Sequence, residues 1–399
     1  MARCRLPYQI ERIDFRLLQR RKFGGADRVD VQFLALAENG GERTIPSEME
    51  DVRNAEDCGW VERRPWLTVF SHWLAVCATL AGFSVASGFA ESCQTANEME
   101  DATRTALIAV ALRDFGLAAK GDTATLRQSA IPSLAEDFSG VEARIKENQA
   151  DLAGAKAEAR PPFLLVTEGT AAIPRAEFFC GVFGSKGQTR DSAVFSLNNL
   201  PPGKYGVVIL DAPAAKGSFT VSLILQQQGA EWKLGGLYIK PGQAAGHYSD
   251  WFAARAREFE AKGQTHNSWL YGLEAISLAA PLPFMSTAAT DKLYDDSQKS
   301  QPADFPGDGK TADLAVGPAT YKLTALFPEV VGSDLDLIVR YQASDISNTN
   351  QTYQNNIAVM KALVAKFPEL RDAFAAMVVR AVDNGGHDYG TLLALKEIK

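Results

Sequence analysis

The 399-residue chain is long enough for two or three domains, and its 46% hydrophobic and 22% charged residues can build packed cores, which excludes wholesale disorder. Its formal net charge is −7, and residues 1–90 carry equal numbers of basic and acidic side chains, so the acidic excess lies in the remainder. That remainder has no basic stripe and no Lys/Arg cluster, so we do not expect a nucleic-acid partner.

Residues 66–90 contain no Asp, Glu, Lys or Arg. They follow the basic pair Arg63-Arg64 and end in small residues around Gly88-Phe89-Ala90. A basic region, an apolar region and a small-residue exit are typical of a secretory signal peptide, so we expect an extracytoplasmic protein, periplasmic or secreted. The uncharged run is also long enough to span a bilayer, so an uncleaved membrane anchor is the alternative.

Residues 1–65 precede this segment, although a signal peptide belongs at an N-terminus. Their polarity is uneven, they include the basic cluster Arg20-Arg21-Lys22, and they show little sustained periodicity. We interpret them as a non-native or disordered leader, with translation beginning near Met49 or at a non-Met start such as Val61.

Two cysteines, Cys93 and Cys180, lie beyond the leader and the signal segment. An exported protein with two cysteines can join them in a disulfide. Sequence does not fix the distance between them, so two unpaired thiols are the alternative.

Residues 91–246 are predicted to form one α+β domain, with helices first and an antiparallel sheet afterwards. Apolar residues recur at helical spacing within residues 95–119, residues 125–136 and 141–160 are predicted to be further helices, and strand-like runs begin after Pro161-Pro162. Tyr205–Leu210 is apolar on both faces, which predicts a central strand. From Gly217 two further β-runs follow, joined by a turn at Gln228-Gly229-Ala230.

The second of these runs contains Gly229, Trp232, Lys233 and Leu234 in the order Gly-x-Glu-Trp-Lys-Leu-x-x-Leu-Tyr. Helices followed by a sheet that closes on such a strand resemble the cone-shaped nuclear-transport-factor-2-like superfamily, over about residues 95–246. The resemblance implies helices packed on a curved antiparallel sheet. Members include isomerases, dehydratases and many non-catalytic binding or dimerising modules, so the resemblance does not decide the activity.

Residues 247–296 are predicted to be a helical connector. Phe259, Gly263, Ala275 and Pro281 resemble one tetratricopeptide-like helical hairpin over 249–281. No second copy is visible, and a single repeat cannot build a solenoid, so the hairpin is interpreted as a link between domains.

Residues 297–318 are rich in Gly, Pro, Ser and Asp and are predicted to be a linker. Residues 319–399 are predicted to form a small C-terminal ββαββ domain. Its strands are Tyr321–Phe327 and Leu335–Tyr341, and a hairpin follows its helix across Asn384-Gly385-Gly386. This domain resembles no family that we recognise.

No metal site or cofactor is expected. The three histidines beyond residue 90 have no His or Cys at i+3 or i+4, and neither a serine hydrolase elbow nor a complete P-loop occurs. Asp334 and Asp336 alternate at a strand start, where a calcium site is conceivable and edge solubility is the simpler interpretation.

Five residues are candidates for a functional site. Trp232 and Tyr238 are candidate ligand contacts lining a cone cavity, and both are also typical core residues. Glu177, Asp211 and His247 are the alternative, catalytic candidates, because a carboxylate in an apolar pocket can act as a general base. Each also has a structural interpretation, and we expect that these three side chains do not meet in one pocket.

The sequence therefore predicts an exported, non-enzymatic binding or assembly module of the cell envelope. Its expected partner is a small apolar ligand or an envelope protein, membrane contact is expected only through an uncleaved signal segment, and homo-oligomerisation stays an open option. An isomerase- or dehydratase-like enzyme with a cone-shaped pocket is the alternative.

Overall fold

A computed structural model describes residues 91–182, 189, 191–214, 217–307 and 309–399. The predicted leader and signal segment lie outside the described residues. The described chain combines helices with largely antiparallel sheets, which confirms the α+β class.

The strands are β1 (Glu91–Gln94), β2 (Glu158–Ala159), β3 (Phe163–Thr167), β4 (Ile173–Cys180), β5 (Ala193–Leu200), β6 (Gly203–Ala214), β7 (Gly217–Gln228), β8 (Glu231–Pro241), β9 (Met285–Ser286), β10 (Ala312–Val316), β11 (Ala319–Val331), β12 (Asp334–Gln342), β13 (Ala376–Val382) and β14 (Asp388–Ala394). The helices are α1 (Asp101–Lys120), α2 (Thr123–Gln128), α3 (Pro132–Glu136), α4 (Ser139–Leu152), α5 (Ser249–Ala261), α6 (Thr265–Ala279), α7 (Ala288–Gln298) and α8 (Thr349–Lys366), with a 3-10 turn at Pro368–Asp372.

The N-terminal sheet has the strand order β1-β3-β6-β7-β8, with β2 also paired to β6. These pairings are antiparallel, and β6 is internal, as its two apolar faces predict. One face of the sheet packs against α1–α4 through a core that includes Leu107, Phe115 and Leu225. Close approach of α1 depends on Gly206 in β6, where a Cβ would lie 2.1 Å from Leu107 Cδ2.

A second, three-stranded sheet of order β4-β5-β9 covers the other face. The core between the two sheets includes Phe163, Phe178, Phe195 and Tyr205, and the rings of Phe163 and Phe195 meet edge to face at 5.3 Å. The larger sheet is therefore buried on both faces.

The C-terminal sheet has the order β10-β11-β12-β13-β14. Only β12 and β13 pair in parallel, and α8 makes the crossover between them. One face packs against α5, α6 and α8 through a core that includes Phe259, Leu270, Leu337 and Leu363. Strand β10 precedes the ββαββ order that the sequence predicts.

The structure differs from the predicted boundaries of the connector and the linker. Helices α5 and α6 share one core with the C-terminal sheet, and Phe305, within the predicted linker, is buried in the same core. Ala312 and Leu314 face inward from β10 on either side of the exposed Asp313. This alternation is too short to stand out among the surrounding Gly, Pro and Asp residues.

Candidate functional site

The three candidate acid-base residues each interact with a different neighbour. Arg175 Nε donates to Glu177 Oε1 at 2.9 Å, and Arg160 donates to both carboxylate oxygens of Asp211 at 2.9 and 2.6 Å. The His247 ring stacks on a tryptophan ring in α5 at 3.8 Å. Within the described chain no hydrogen bond or ion pair joins any two of Glu177, Asp211 and His247. The geometry therefore does not assemble them into a catalytic constellation.

Trp232 and Tyr238 lie on opposite faces of β8. Ile224 pairs with Gly236 and Leu225 pairs with Leu234, so β8 has one extra residue at Gly235. This bulge reverses the alternation of side chains along the strand. Trp232 consequently packs into the helix-side core, whereas Tyr238 packs into the core between the two sheets.

Tyr238 is enclosed on its side of the sheet. Its ring meets that of Phe284 edge to face at 5.7 Å, and burial raises the pKa of its hydroxyl. The expectation that Trp232 and Tyr238 line one cavity is therefore wrong.

Cys93 and Cys180 are joined in a disulfide, with their Cα atoms 5.1 Å apart. The bond connects β1 at the edge of the N-terminal sheet to the last residue of β4 in the smaller sheet. Of the two alternatives that the sequence leaves open, the structure adopts the disulfide.

The half-buried Lys240 and the buried Glu274 lie near the place where β8 meets α6. Lys240 Nζ donates to the backbone carbonyls of Ser277 and Ala280 at the end of α6, the second at 2.5 Å. Glu274 lies one turn earlier on the same helix and is 8% exposed. Burial lowers the Lys240 pKa to about 8 despite the opposing effect of Glu274. Burial likewise raises the Glu274 pKa to about 7, and Lys240 opposes this shift.

The sequence contains one signal for this pair that the prediction missed. Glu274 is the only acidic residue of α6, and it stands among apolar residues such as Leu273, Ala275 and Ile276. A lone carboxylate on an apolar helix must be neutral or find a cation. The cation, Lys240, is distant in sequence, so the spacing of residues does not identify it.

Four charged residues lie together on the face of the C-terminal sheet opposite the main core. Arg340 and Arg380 are direct neighbours on β12 and β13. Arg380 Nε donates to Asp388 at 2.6 Å, and the Arg340 guanidinium lies 5.5 Å from the centre of a phenylalanine ring in β11. Burial raises the pKa of Glu329 to about 7, although both arginines act to lower it. These contacts offset the repulsion between the two adjacent arginines.

An open cleft of about 620 Å³ lies at the end of the same sheet, and we call it the C-terminal cleft. Its walls include Asp334, Asp336, Phe374, Leu392 and Lys396. Asp336 is 3% exposed, and its Oδ1 accepts the Ala376 N–H at 3.0 Å. Burial, and to a smaller extent Asp334, raises the Asp336 pKa above its ordinary value, against the effect of that hydrogen bond.

The C-terminal cleft combines charges with an apolar wall. Leu392 is 48% exposed, and Asp334 and Lys396 are both exposed. No side chain of the described chain forms an ion pair with Asp334, Asp336 or Lys396. A small ligand that supplies the opposite charges would therefore find two exposed partners, Asp334 and Lys396, and a third carboxylate, Asp336, that already accepts one backbone N–H.

A second open cleft, of about 560 Å³, lies between α2, α3, α4 and β8. Its walls include Arg127, Glu142 and Lys233. Arg127 Nε already donates to the carbonyl of Ala135 at 2.7 Å, so part of this cationic wall is used within the fold.

In the described part of the chain, no three His, Cys, Asp or Glu side chains are grouped as metal ligands. None of the described helices is both long and apolar enough to cross a membrane.

Comparison of the chain with protein-family models, with curated proteins and with solved structures finds no match.

Proposed function

We propose that the protein is an exported, non-enzymatic binding module of the cell envelope, and that its ligand site is the C-terminal cleft. One observation carries the proposal: this cleft presents carboxylates and an ammonium group without ion-pair partners in the described chain, beside an exposed apolar wall. Its volume of about 620 Å³ is within the range of small-molecule sites.

The arrangement of charges suits a small zwitterion, such as an amino acid or a short peptide. Asp336 on β12 is bonded to Ala376 on β13, which pairs with Ala394 on β14, two residues before Lys396. The backbones of β12 and β14 lie two strand spacings, about 10 Å, apart, so the acidic and basic side chains approach the cleft from different strands. An ammonium group on Asp336 and a carboxylate on Lys396 would place an apolar side chain against Leu392.

Thermal unfolding with added L-leucine or leucyl-leucine tests this proposal. A ligand that binds only the folded chain at 100 times its Kd stabilises by about 2.7 kcal/mol. The matched controls are 4-methylpentanoate, which lacks the ammonium group, and 3-methylbutylamine, which lacks the carboxylate. Equal stabilisation by the two controls and the zwitterions would contradict the zwitterion proposal.

Two variants test the cleft itself. Asp336→Asn keeps an acceptor for the Ala376 N–H, and Lys396→Gln removes the ammonium group, so each should weaken zwitterion binding about tenfold by losing one charged contact. Lys399→Gln, at an exposed residue outside the cleft walls, should bind normally. Unchanged affinity in both cleft variants would exclude this site.

Export is supported by the disulfide, because disulfides persist in oxidising compartments. We propose that processing removes residues 66–90 and that the mature chain begins near Glu91. Mass spectrometry of the protein from cell fractions checks this: a chain that retains residues 66–90 in the membrane would favour the anchor instead.

A second candidate function, an isomerase- or dehydratase-like enzyme, is favoured by Lys240 and Glu274. Burial brings the pKa of the Lys240 amine to about 8 and that of the Glu274 carboxyl to about 7, and groups with pKa values in this range suit acid–base chemistry near neutral pH. Neither residue lines the two clefts described above. The test is exchange of α-hydrogens of small ketones with D₂O: exchange that Glu274→Gln abolishes, with the fold intact, would favour the enzyme.

We also propose the cone-type architecture for residues 95–246 and the tetratricopeptide-like hairpin for 249–281. Four helices on one face of an antiparallel sheet support the first, and the contact between the consecutive helices α5 and α6 supports the second. An experimental structure of the isolated chain would test the curvature of the sheet. Light scattering would test the predicted option of a homo-oligomer.

A further inference from the structure

His266, in the first turn of α6, has a carboxylate at each of its two ring nitrogens. Nδ1 lies 2.7 Å from Glu369 Oε1, and Nε2 lies 3.0 Å from Asp304 Oδ1. Ionised carboxylate oxygens only accept hydrogen bonds, so each contact needs its own proton. A neutral imidazole has only one ring N–H. Two hydrogen bonds to carboxyl groups therefore require one additional proton, which is carried either by the imidazole or by one of the carboxyl groups.

The neighbouring charges favour that extra proton. Lys366, at the end of α8, lies 3.6 Å from Asp304, and Asp372 accepts a hydrogen bond from a glutamine amide instead of from the imidazole. With an imidazolium, His266 and Lys366 balance Asp304 and Glu369. A neutral imidazole would leave excess negative charge around a side chain that is only 17% exposed.

Three segments meet at this histidine. They are α6, the loop of residues 299–307 that carries Asp304, and the 3-10 turn that carries Glu369. The rings of Phe305 and Phe367 flank the imidazole at 4.6 and 4.3 Å, and aromatic rings favour a nearby cation. The imidazole therefore connects the loop to both of the other segments.

We infer that His266, Asp304 and Glu369 form a proton-dependent latch that holds residues 299–307 against α6 and the 3-10 turn. The latch is closed at acidic pH. When the extra proton is lost, one ring nitrogen presents a lone pair to a carboxylate, and one of the two hydrogen bonds becomes a repulsion. The loop is then released more often as the pH rises. This inference does not depend on the ligand proposed for the C-terminal cleft.

Amide hydrogen exchange of residues 299–307 in the full chain, corrected for the pH dependence of the chemical exchange step, measures the opening of the latch. Between pH 5.5 and pH 8 the opening constant should rise about tenfold, the effect of losing one charge-assisted hydrogen bond. In His266→Gln the change should be less than about twofold, because the amide does not take up a proton in this range.

His387→Gln is the matched control. Its imidazole contacts a single carboxylate, Asp383, at 3.2 Å within one hairpin, and its side chain is 76% exposed. This variant should keep the wild-type pH dependence in residues 299–307. The latch is refuted if His266→Gln keeps that dependence as well, or if wild type shows none.

A spectroscopic measurement on the wild-type chain covers the case in which His266→Gln does not fold. In NMR spectra of the chain with ¹⁵N-labelled histidine, the ring of His266 should show two N–H signals at pH 5.5 and one at pH 8.5. These signals are assigned by their loss in the isosteric variants Glu369→Gln and Asp304→Asn. A single ring N–H signal at pH 5.5, with no proton shared onto either carboxyl, would overturn the inference.

Discussion

The wild-type chain should become less stable as the pH rises toward neutrality, and replacing Glu274 by glutamine should remove the part of this loss that the carboxyl causes. In the fold, burial raises the pKa of this carboxyl from 4.5 to about 7. Between these two values the unfolded chain releases a proton that the folded chain keeps, so rising pH favours unfolding. At 1.36 kcal/mol per pH unit, the wild type should lose up to about 3 kcal/mol over this interval.

Equilibrium urea unfolding at pH 4.5, 5.5, 6.5 and 7, at constant ionic strength, measures the effect. The free energy of unfolding of Glu274→Gln minus that of wild type should grow by about 3 kcal/mol from the lowest to the highest pH. Glu329, whose pKa is also raised to about 7, contributes to both proteins and cancels in this difference. Unfolding slopes must agree between the proteins for the subtraction to hold.

Glu231→Gln is the matched control, since it removes a carboxylate from β8 that is 77% exposed. Its difference from wild type should stay constant across the same pH values. A constant difference for Glu274→Gln would refute the reasoning, because it would mean that the carboxyl ionises as readily in the fold as in the unfolded chain.

Lys240 should give the opposite slope at higher pH. Burial lowers its pKa from 10.5 to about 8, so between these values the unfolded chain holds the proton that the folded chain has lost. Wild-type stability should therefore rise above pH 8, and Lys240→Met should not share this rise. The variant should also be less stable at pH 7, because two carbonyls at the end of α6 lose their donor.

Three further predictions concern packing and cross-links. Either Cys93→Ser or Cys180→Ser should lower the free energy of unfolding by about 3–5 kcal/mol, and two alkylatable thiols in unreduced native protein would contradict the bond. Gly206→Ala should destabilise the chain by about 1–3 kcal/mol because its Cβ would lie 2.1 Å from Leu107 Cδ2. The double variant Gly206→Ala/Leu107→Ala should lose less stability than the sum of the two single variants. Asn356→Ala should cost about 1–3 kcal/mol, measured by urea unfolding, because the two hydrogens of its buried amide are shared among three acceptors on β13 and β14.

Local pattern was enough to predict the elements that form from neighbouring residues. The paired runs of β7 and β8, the two helices from Ser249 to Ala279, and the final hairpin across Asn384-Gly385-Gly386 are all present. In each case a period of two or of about 3.6 residues is sustained and a turn signal marks its end.

What the sequence did not predict depends on one-residue irregularities and on distant partners. The bulge at Gly235 reverses the faces of β8, so Trp232 and Tyr238 were placed together although they lie apart. The cleft and the latch join residues from separate segments: His266 and Glu369 are 103 positions apart. No spacing rule connects residues at such distances, because only the fold brings them together.

The same contacts bear on the choice between a binding module and an enzyme. Lys240 donates to two carbonyls at the C-terminal end of α6, where backbone acceptors lack helical partners and the helix dipole favours a cation. A lysine held in this way is needed as a charged donor, and releasing its proton to act as a base would leave those buried carbonyls with weaker partners. The charge of Lys240 is therefore explained by its hydrogen bonds, which hold β8 against the end of α6. In the C-terminal cleft, Asp336 accepts the Ala376 N–H, whereas Asp334 and Lys396 are exposed and form no ion pair with a side chain of the described chain, which makes that cleft the better place to look for a ligand.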